Sequence, residues 1–355
     1  MVALGDLSGG TFTSFAQAIS ADGTTVVGYS SSSNNNQAFR WTQPTGMVGL
    51  GELPGGSVFS YANSVSADGG VVVGESSSTL SGTIGGEAFR WTPTNGMIGL
   101  GDLPGGNFDS HAYAVSADGT VIIGNSSSSN GNEAFRWTAA TGMVGLNDLA
   151  GGNFSSIAYG ISADGSTIVG YGSPPSNVHE AFRRTTATGM VGLGFLPCDT
   201  WTIARAVSGD GSVIVGDPQA STCRCVFIWD AQHGLRELLN VLTNNYGLNL
   251  AGWQLCRATA LSYDGNVIVG YGVNPSGQTE AWIANIAPPS LSISREGSNI
   301  VLSWATNAPG FMLQSANNLI LSNWVDSTTV PVIAGTEFTV MHGTSNSAQF
   351  YRLKK

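Results

Sequence analysis

A short phrase built around Asp-Gly recurs along the first four-fifths of this chain and restricts its fold more than any other feature. In the first copy, small and apolar residues at 16–19 precede the pair and a β-branched run at 24–28 follows it. An Asp-Gly pair between two such runs predicts a hairpin with a two-residue type I′ turn. The phrase returns every 46 to 54 residues, which indicates a repeat architecture. The six pairs are Asp22-Gly23, Asp68-Gly69, Asp118-Gly119, Asp164-Gly165, Asp210-Gly211 and Asp264-Gly265.

Each full unit contains four short candidate strands separated by clusters of glycine, proline and asparagine. In the second unit these strands are residues 61–66, 71–74, 87–92 and 97–100. A single four-stranded sheet would leave both of its faces wet, whereas sheets packed face to face bury them. Four strands per unit, repeated six times, therefore predict an all-β fold of the β-propeller class.

The two ends of the repeat region predict how the propeller closes. The opening heptapeptide, residues 1–7, matches residues 47–53, which are a fourth strand and its linker without the three strands before it. The sixth unit has its first three strands and no fourth before Pro288. We therefore expect residues 1–287 to form a six-bladed propeller closed by the N-terminal strand, because closure removes exposed sheet edges. An open solenoid is the alternative, and it would call for capping repeats.

Residues 288–355 have a different character. Pro288-Pro289 ends the repeat, and short alternating strands follow, for example at 300–304 and 338–340. This pattern predicts a small C-terminal β-sandwich of the immunoglobulin or fibronectin III type.

Composition excludes several classes of partner. The net charge is −10 and the only lysines are Lys354 and Lys355, so nothing neutralises a nucleic-acid backbone or an anionic membrane surface. No apolar run reaches the ~20 residues that span a bilayer. An acidic chain rich in Ser, Gly, Asn and Thr is typical of secreted or cell-surface proteins, and because the sequence enters the repeat at once, we expect that any signal peptide has been removed or was never present.

Candidate functional residues lie where the six units differ. Loops between uniform strands often carry grafted function, and the variable positions cluster at the start of the first strand and after the second. Aromatic rings with nearby carboxylates suit sugar binding, and paired carboxylates would suit glycoside hydrolysis; solvated loop ends are the competing interpretation. The predicted ligand-binding residues are Tyr29, Tyr61, His111, Tyr171, His179, Arg257 and Tyr271, and the catalytic candidates are Glu75, Asp109, Glu133, Glu180 and Asp217.

The repeated aspartates and the four histidines carry weaker signals. An Asp in an Asp-Gly turn normally accepts hydrogen bonds from its own turn, so a structural role is expected six times over. The histidines are scattered, and the spacing predicts neither a metal site nor a cofactor.

All four cysteines fall in the fifth and sixth units. For an exported chain they predict two disulfides, and a Cys223–Cys225 bridge is disfavoured by its short loop. A cysteine-ligated zinc is the alternative. The residues are Cys198, Cys223, Cys225 and Cys256.

The recurring Glu-Ala-Phe-Arg-Trp-Thr, Ser-Ala-Asp-Gly and Leu-Pro-Gly-Gly segments resemble the extracellular HAF-repeat proteins of bacteria. The resemblance covers residues 1 to about 285 and implies export and a repeat fold, with no catalytic residues to transfer. The chain departs from that family at its eponymous histidine, which is replaced by Gln37, Glu87, Glu133, Glu180 and Glu280.

Three functions fit this sequence. The first is a secreted or cell-surface propeller that binds a glycan or a surface protein at its channel mouth without catalysis. The second is a glycoside hydrolase that uses two of the carboxylates named above. The third is a structural surface-layer or filament subunit.

Overall fold

The fold consists almost entirely of antiparallel sheets joined in chain order. The computed structural model describes residues 2–33, 35–56, 59–81, 85–176, 178–197, 200–218, 225–287, 289–305, 311–318, 324–343 and 348–354. Six sheets come from the repeat region and two from the C-terminal part. Among the described residues, no helix has the length and apolarity needed to cross a membrane.

Sheets 1 to 3 each contain four strands in sequential order. Sheet 1 comprises β1 (Gly9–Ile19), β2 (Thr25–Ser32), β3 (Asn35–Thr42) and β4 (Gly46–Gly49). Sheet 2 comprises β5 (Ser60–Val65), β6 (Val72–Ser76), β7 (Glu87–Thr92) and β8 (Gly96–Gly99). Sheet 3 comprises β9 (Gly105–Val115), β10 (Ile122–Ser128), β11 (Gly131–Thr138) and β12 (Gly142–Gly145).

Sheets 4 and 5 follow the same order, and sheet 6 has three strands. Sheet 4 comprises β13 (Ile157–Ile161), β14 (Ile168–Gly172), β15 (Glu180–Thr185) and β16 (Gly189–Gly192). Sheet 5 comprises β17 (Ile203–Val207), β18 (Val213–Asp217), β19 (Phe227–Asp230) and β20 (Gly234–Glu237). A short helix α1 (Leu238–Asn240) and a π-turn (Val241–Asn245) lead to sheet 6, with β21 (Gln254–Leu261), β22 (Val267–Val273) and β23 (Thr279–Asn285).

The C-terminal strands form two sheets with a core of their own, in which Leu302, Trp304, Leu313 and Val340 are buried. Sheet 7 has the order β24 (Ser292–Glu296), β25 (Asn299–Ala305), β29 (Glu337–Gly343) and β28 (Val332–Ala334). Sheet 8 has the order β27 (Val325–Asp326), β26 (Met312–Ala316) and β30 (Phe350–Lys354).

The core of the repeat region lies between neighbouring sheets. One cluster joins Val27 and Ala38 of sheet 1 to Ala62, Val72 and Phe89 of sheet 2, and similar clusters follow at the next junctions. The repeated phenylalanine is fully buried in each of the first five sheets, as the sequence predicts for a residue that fills the space between blades. These residues are Phe39, Phe89, Phe135, Phe182 and Phe227.

Each Asp-Gly pair forms a turn, but the predicted type I′ geometry is wrong. In the first copy the turn bond runs from the Gly23 N–H to the Ser20 carbonyl, so Asp22 is a central residue and only Gly23 has a positive φ, of 73°. Asp22 instead accepts hydrogen bonds from the Ser20 hydroxyl and the Thr24 N–H. These bonds lower the pKa of the aspartate, and the same holds for its five counterparts.

A ladder of backbone hydrogen bonds connects the six turns. In sheets 1 to 5, the residue just before the Asp-Gly pair donates its N–H to the carbonyl of the equivalent residue in the next sheet. The first of these bonds runs from Ala21 to Ala67 at 3.1 Å and the last from Gly209 to Tyr263 at 2.8 Å. One cavity of about 250 Å³ is lined by residues from all six turn regions. The turns of the first and last sheets therefore border the same space.

The N-terminal segment does not complete sheet 6, so the predicted closure is not present. Residues 2–7 form no strand. Among the described residues, β23 pairs only with β22, and no fourth strand follows it in the sheet. The segment instead contacts sheet 1: the Leu7 N–H donates to Ser30 Oγ, and Ser14 Oγ donates to the Gly5 carbonyl. The linker before sheet 2 makes the matching pair of bonds, from Leu53 N–H to Ser76 Oγ and from Ser60 Oγ to the Gly51 carbonyl.

Apolar side chains remain exposed on both sides of this open seam. On sheet 1 they are Phe12 (82% exposed) and Ile19 (60%), and on sheet 6 they are Tyr263 (69%) and Ile283 (73%). The corresponding faces of the inner sheets are covered by their neighbours.

Candidate functional site

The variable positions at the start of the first strand and the end of the second pair with each other in each of the six repeat sheets. At the end of the sheets away from the Asp-Gly turns, the start of the first strand lies opposite the end of the second. The pairs are Phe15 with Tyr29, Tyr61 with Glu75, His111 with Asn125, Ile157 with Tyr171, Ile203 with Asp217 and Arg257 with Tyr271.

An acidic cluster forms where sheets 2 and 3 meet. The Nδ1 atom of His111 bonds Glu75 Oε2, and its Nε2 atom lies 3.3 Å from Asp109 Oδ1. Asp109 Oδ1 also accepts a hydrogen bond from the Gly86 N–H at 2.9 Å. Burial lowers the pKa of the His111 imidazole, but the bond to Glu75 and the two carboxylate charges outweigh burial and raise the pKa overall. Two of the catalytic candidates therefore lie on opposite sides of one imidazole ring.

An aromatic arc runs from this cluster across sheets 3 to 5. Its rings contact one another in sequence: Tyr113 and Tyr159 have centroids 5.4 Å apart, Tyr171 and His179 stack at 4.0 Å, and His179 meets Trp201 at 4.5 Å. Such separations are those of favourable aromatic pairs. Burial raises the pKa of the Tyr113, Tyr159 and Tyr171 hydroxyls, so these side chains stay neutral at physiological pH.

Arg205, Arg257 and Asp217 lie on sheets 5 and 6 beside the aromatic arc, and we call this group the basic end. The Asp217 side chain is fully buried, and Arg205 binds both of its oxygens, at 3.0 and 3.4 Å. Arg257 approaches the same carboxylate from sheet 6, with its Nε atom 3.5 Å from Oδ1. Burial raises the pKa of Asp217, and the two guanidinium groups oppose that change. Arg205 also lies over the Tyr159 ring, which ties the basic end to the arc.

A second aromatic group lies on sheets 1 and 2. Tyr29 stacks on Phe15 at 5.0 Å and meets Tyr61 edge-on at 4.8 Å. Tyr61 in turn stacks on Phe59, and its hydroxyl accepts a hydrogen bond from Asn36. Two predicted ligand-binding residues are thus in contact, and Tyr61 lies directly opposite Glu75 of the acidic cluster.

Glu133 and Glu180 bond the backbone elsewhere, and their assignment as catalytic residues stays a prediction. Glu133 Oε1 accepts the Asn147 N–H at 3.0 Å, and Glu180 Oε1 accepts the Gly194 N–H at 2.9 Å. Both carboxylates therefore hold the linker that follows the fourth strand of their own sheet. Glu87 makes the equivalent bond to the Gly101 N–H.

Three residues of the site, Tyr113, Tyr159 and Arg205, were not predicted. Each is the extra residue where the first strand shifts register against the second, and such a bulge redirects a side chain, so regular strand alternation does not assign its face. The available signal was that this position also differs among the six units.

In the sequence, the four cysteines flank the residues of the basic end. Neither Cys225 nor Cys256 is a free cysteine, and Cys198 and Cys223 lie outside the described residues, so the pairing remains a prediction. Within the ranges described above, no group of three or more potential ligands could hold a metal ion.

Comparison with known proteins gives structural likenesses only. No family model matches the sequence, and no curated protein is significantly similar to it.

TolB from Acinetobacter baumannii aligns with 81% of this chain at 12% identity and a TM-score of 0.45, and this chain spans 62% of its length. A TolB candidate from Agrobacterium tumefaciens aligns with 78% of this chain and 91% of its own, at 14% identity and a TM-score of 0.47. A mutant of AofleA from Arthrobotrys oligospora aligns with 97% of this chain and 90% of its own, at 11% identity and a TM-score of 0.37. At these identities and TM-scores the likenesses carry no argument about this chain.

Proposed function

We propose that this chain is an exported, non-enzymatic β-propeller that binds a glycan or a surface protein at the face carrying the aromatic arc. One observation carries the proposal: the rings from Tyr113 to Trp201 make a continuous series across three sheets, with the carboxylates of sheets 2 and 3 on one side of it and the guanidinium groups of sheets 5 and 6 on the other. Ligand sites typically combine aromatic walls with a few fixed polar groups. Sheets that are otherwise uniform differ at these positions, which is the pattern of a site grafted on a scaffold.

The contacts favour binding over glycoside hydrolysis. Glycosidases keep two carboxyl groups about 5–10 Å apart, with the sugar or a water between them. Here the imidazole of His111 occupies the space between Glu75 and Asp109 and bonds both. A substrate would have to displace that ring before the carboxylates could act.

A glycan array followed by isothermal titration calorimetry tests the binding function. Tyr159→Ala is expected to reduce affinity for any captured ligand at least about tenfold, because it removes the ring that links the arc to Arg205. Tyr263→Ala is the matched control, since Tyr263 is an exposed tyrosine at the opposite end of the sheets. Equal affinity of the two variants for the captured ligand would contradict the proposed face.

Hydrolysis is tested separately with aryl-glycosides and polysaccharides. The proposal expects no turnover by the wild-type chain. Turnover that is abolished by both Glu75→Gln and Asp109→Asn would instead establish the carboxylate pair as catalytic.

We further propose that residues 1–287 act as a six-bladed ring in solution, with residues 288–355 as a separate sandwich. The shared cavity at the six turns and the contacts of Gly5 and Leu7 with sheet 1 support this. At an inner junction the Ala38 N–H donates to Ser60 Oγ, and the equivalent positions across the seam are Ala281 and Ser14. An engineered Ser14→Cys/Ala281→Cys pair should therefore form a disulfide within one chain, as the control pair Ala38→Cys/Ser60→Cys should.

Bridges between chains at the seam, together with filaments in electron micrographs, would contradict ring closure. That outcome would favour the structural-subunit function, because the exposed faces of sheets 1 and 6 would then be covered by other copies.

Export is part of the same proposal. The chain is acidic and has only two lysines, and its described cysteines are not free thiols. An acidic, lysine-poor composition is typical of exported proteins, and cysteines without free thiols suit an oxidising compartment outside the cytoplasm. Reaction of the native protein with a thiol reagent should label none of the four cysteines, and labelling of two or more would contradict it.

A further inference from the structure

The basic end of the arc contains one more cation than the structure itself uses. Asp217 is the only carboxylate that contacts Arg205 or Arg257 among the described residues. Arg205 engages both of its oxygens, so that pair is electrically balanced. Arg257 is the surplus charge.

Arg257 is held in place yet open to a ligand. Its Nε atom lies 3.5 Å from Asp217 Oδ1, which is longer than the 2.7–3.2 Å of a good N–H···O bond. Its guanidinium lies 6.0 Å from the centroid of the Tyr271 ring, and its side chain is 39% exposed. A carboxylate and an aromatic ring thus limit its conformations, which reduces the entropy lost when a ligand binds. The planar guanidinium can still present paired N–H donors to an incoming carboxylate.

The neighbouring surface indicates what carries that carboxylate. Tyr271 is 38% exposed and pairs with Arg257 across the two strands, so a flat apolar ring lies beside the charged group. A pyranose ring can pack its C–H face on such a surface while its carboxylate meets the guanidinium. The net charge of −10 repels densely charged polyanions, so the ligand chemistry is that of isolated carboxylates on an otherwise neutral chain.

We propose that Arg257 and Tyr271 form a subsite for the carboxylate of an acidic saccharide, whose neutral residues extend along the aromatic arc. This inference rests on the proposed binding function and specifies its ligand class. The acidic cluster at the other end of the arc makes the site directional, because a carboxylate is attracted to the Arg257 end and repelled from Glu75 and Asp109.

The test uses a matched ligand pair, a uronate-containing oligosaccharide and the same oligosaccharide with its carboxyl groups reduced to alcohols. Calorimetry with the wild-type chain should give at least about tenfold tighter binding of the uronate form, as expected for a charge-assisted bidentate contact. Arg257→Gln should lower affinity for the uronate form to that of the reduced form and leave the reduced form unchanged.

Three controls separate this inference from misfolding and from the underlying function. Arg236→Gln changes an arginine that pairs with Asp230 on sheet 5 and should leave both affinities unchanged. Arg257→Lys keeps the charge and loses the planar fork, so it should recover part of the preference. Thermal unfolding should show that all variants are folded.

Equal wild-type affinity for the two saccharides would overturn the carboxylate subsite while leaving the binding function in place. Binding of neither saccharide, with Arg257-dependent binding of peptides through their C-terminal carboxylate, would replace the saccharide by a protein partner. Loss of all ligand binding in Tyr159→Ala but no effect of Arg257→Gln would place the ligand on the arc away from the basic end.

Discussion

His111 bonds Glu75 across the junction of sheets 2 and 3, and the contact joins a histidine from a first strand to a carboxylate at the end of the preceding sheet's second strand. Because the charges of Glu75 and Asp109 raise the pKa of His111 above its ordinary value of 6.5, the protonated ring is favoured in the folded state. Its contribution to the free energy of unfolding is therefore full below pH 6.5 and is lost as pH rises through the higher folded pKa.

Glu75→Gln should flatten this part of the stability profile. Without the carboxylate, burial dominates and the pKa of His111 falls, so the loss of stability on the alkaline side of neutrality shrinks. Urea denaturation from about pH 5.5 to 9 measures the effect. Glu237→Gln, which changes a half-buried carboxylate bonded to Asn240, is the control and should keep the wild-type slope; an unchanged slope in Glu75→Gln would refute the coupling.

Asp217→Asn should be strongly destabilising. The side chain is fully buried between two arginines, and removing its charge leaves both guanidinium groups without their shared partner. Breaking a buried ion pair costs about 3–5 kcal/mol. Chemical denaturation gives the change in unfolding free energy, and Asp230→Asn on the same sheet, at a more exposed ion pair, should cost less.

Gly124→Ala should disrupt the strand pair that presents His111. A Cβ atom at Gly124 would lie 1.8 Å from the His111 carbonyl oxygen, and backbone on both strands would have to move. Overpacking of this kind costs about 3 kcal/mol. Gly343→Ala, where the nearest atom would be 4.0 Å away, is the control. A Gly124→Ala protein as stable as wild type would show that the two strands separate more easily than their contacts indicate.

Asp118→Asn should weaken its turn by about 1 kcal/mol at neutral pH, because a charged acceptor of hydrogen bonds is replaced by a neutral one. Asp118 accepts bonds from the Ser116 hydroxyl and the Thr120 N–H, and these lower its pKa. A lowered folded pKa stabilises the protein above the ordinary value of 3.8, and that contribution is lost as pH falls through the folded value. Denaturation at about pH 7 and about pH 3 should thus show the variant converging on wild type in acid; a constant difference would contradict the assignment.

The sequence predicted the site unevenly, because it shows which positions vary but not how the strands pair. Positions such as His111 and Tyr171 could be identified because they vary while their neighbours repeat. Tyr113 could have been included on the same ground, since its position also differs among the six units. Glu133 pairs with Ser126 and not with Asn125, a register that the sequence alone does not supply.

At the open seam, sequence similarity did not predict the pairing that the structure shows. Residues 1–7 match a fourth strand and its linker, and the linker half makes the expected bonds to sheet 1. Similarity of sequence identifies what a segment resembles, but it does not fix which sheet edge the segment pairs with, since that depends on contacts far apart in the sequence.

The hydrogen bonds that connect the six turns all run in one direction along the chain, from each sheet to the next. The first sheet is therefore left with the Ala21 carbonyl, an acceptor, and the last with the Tyr263 N–H, a donor. Ends of opposite polarity can join only head to tail. Whether the first sheet meets its own sixth sheet or that of another molecule, the ladder can continue only between a first sheet and a sixth sheet, and two first sheets could pack together only without it.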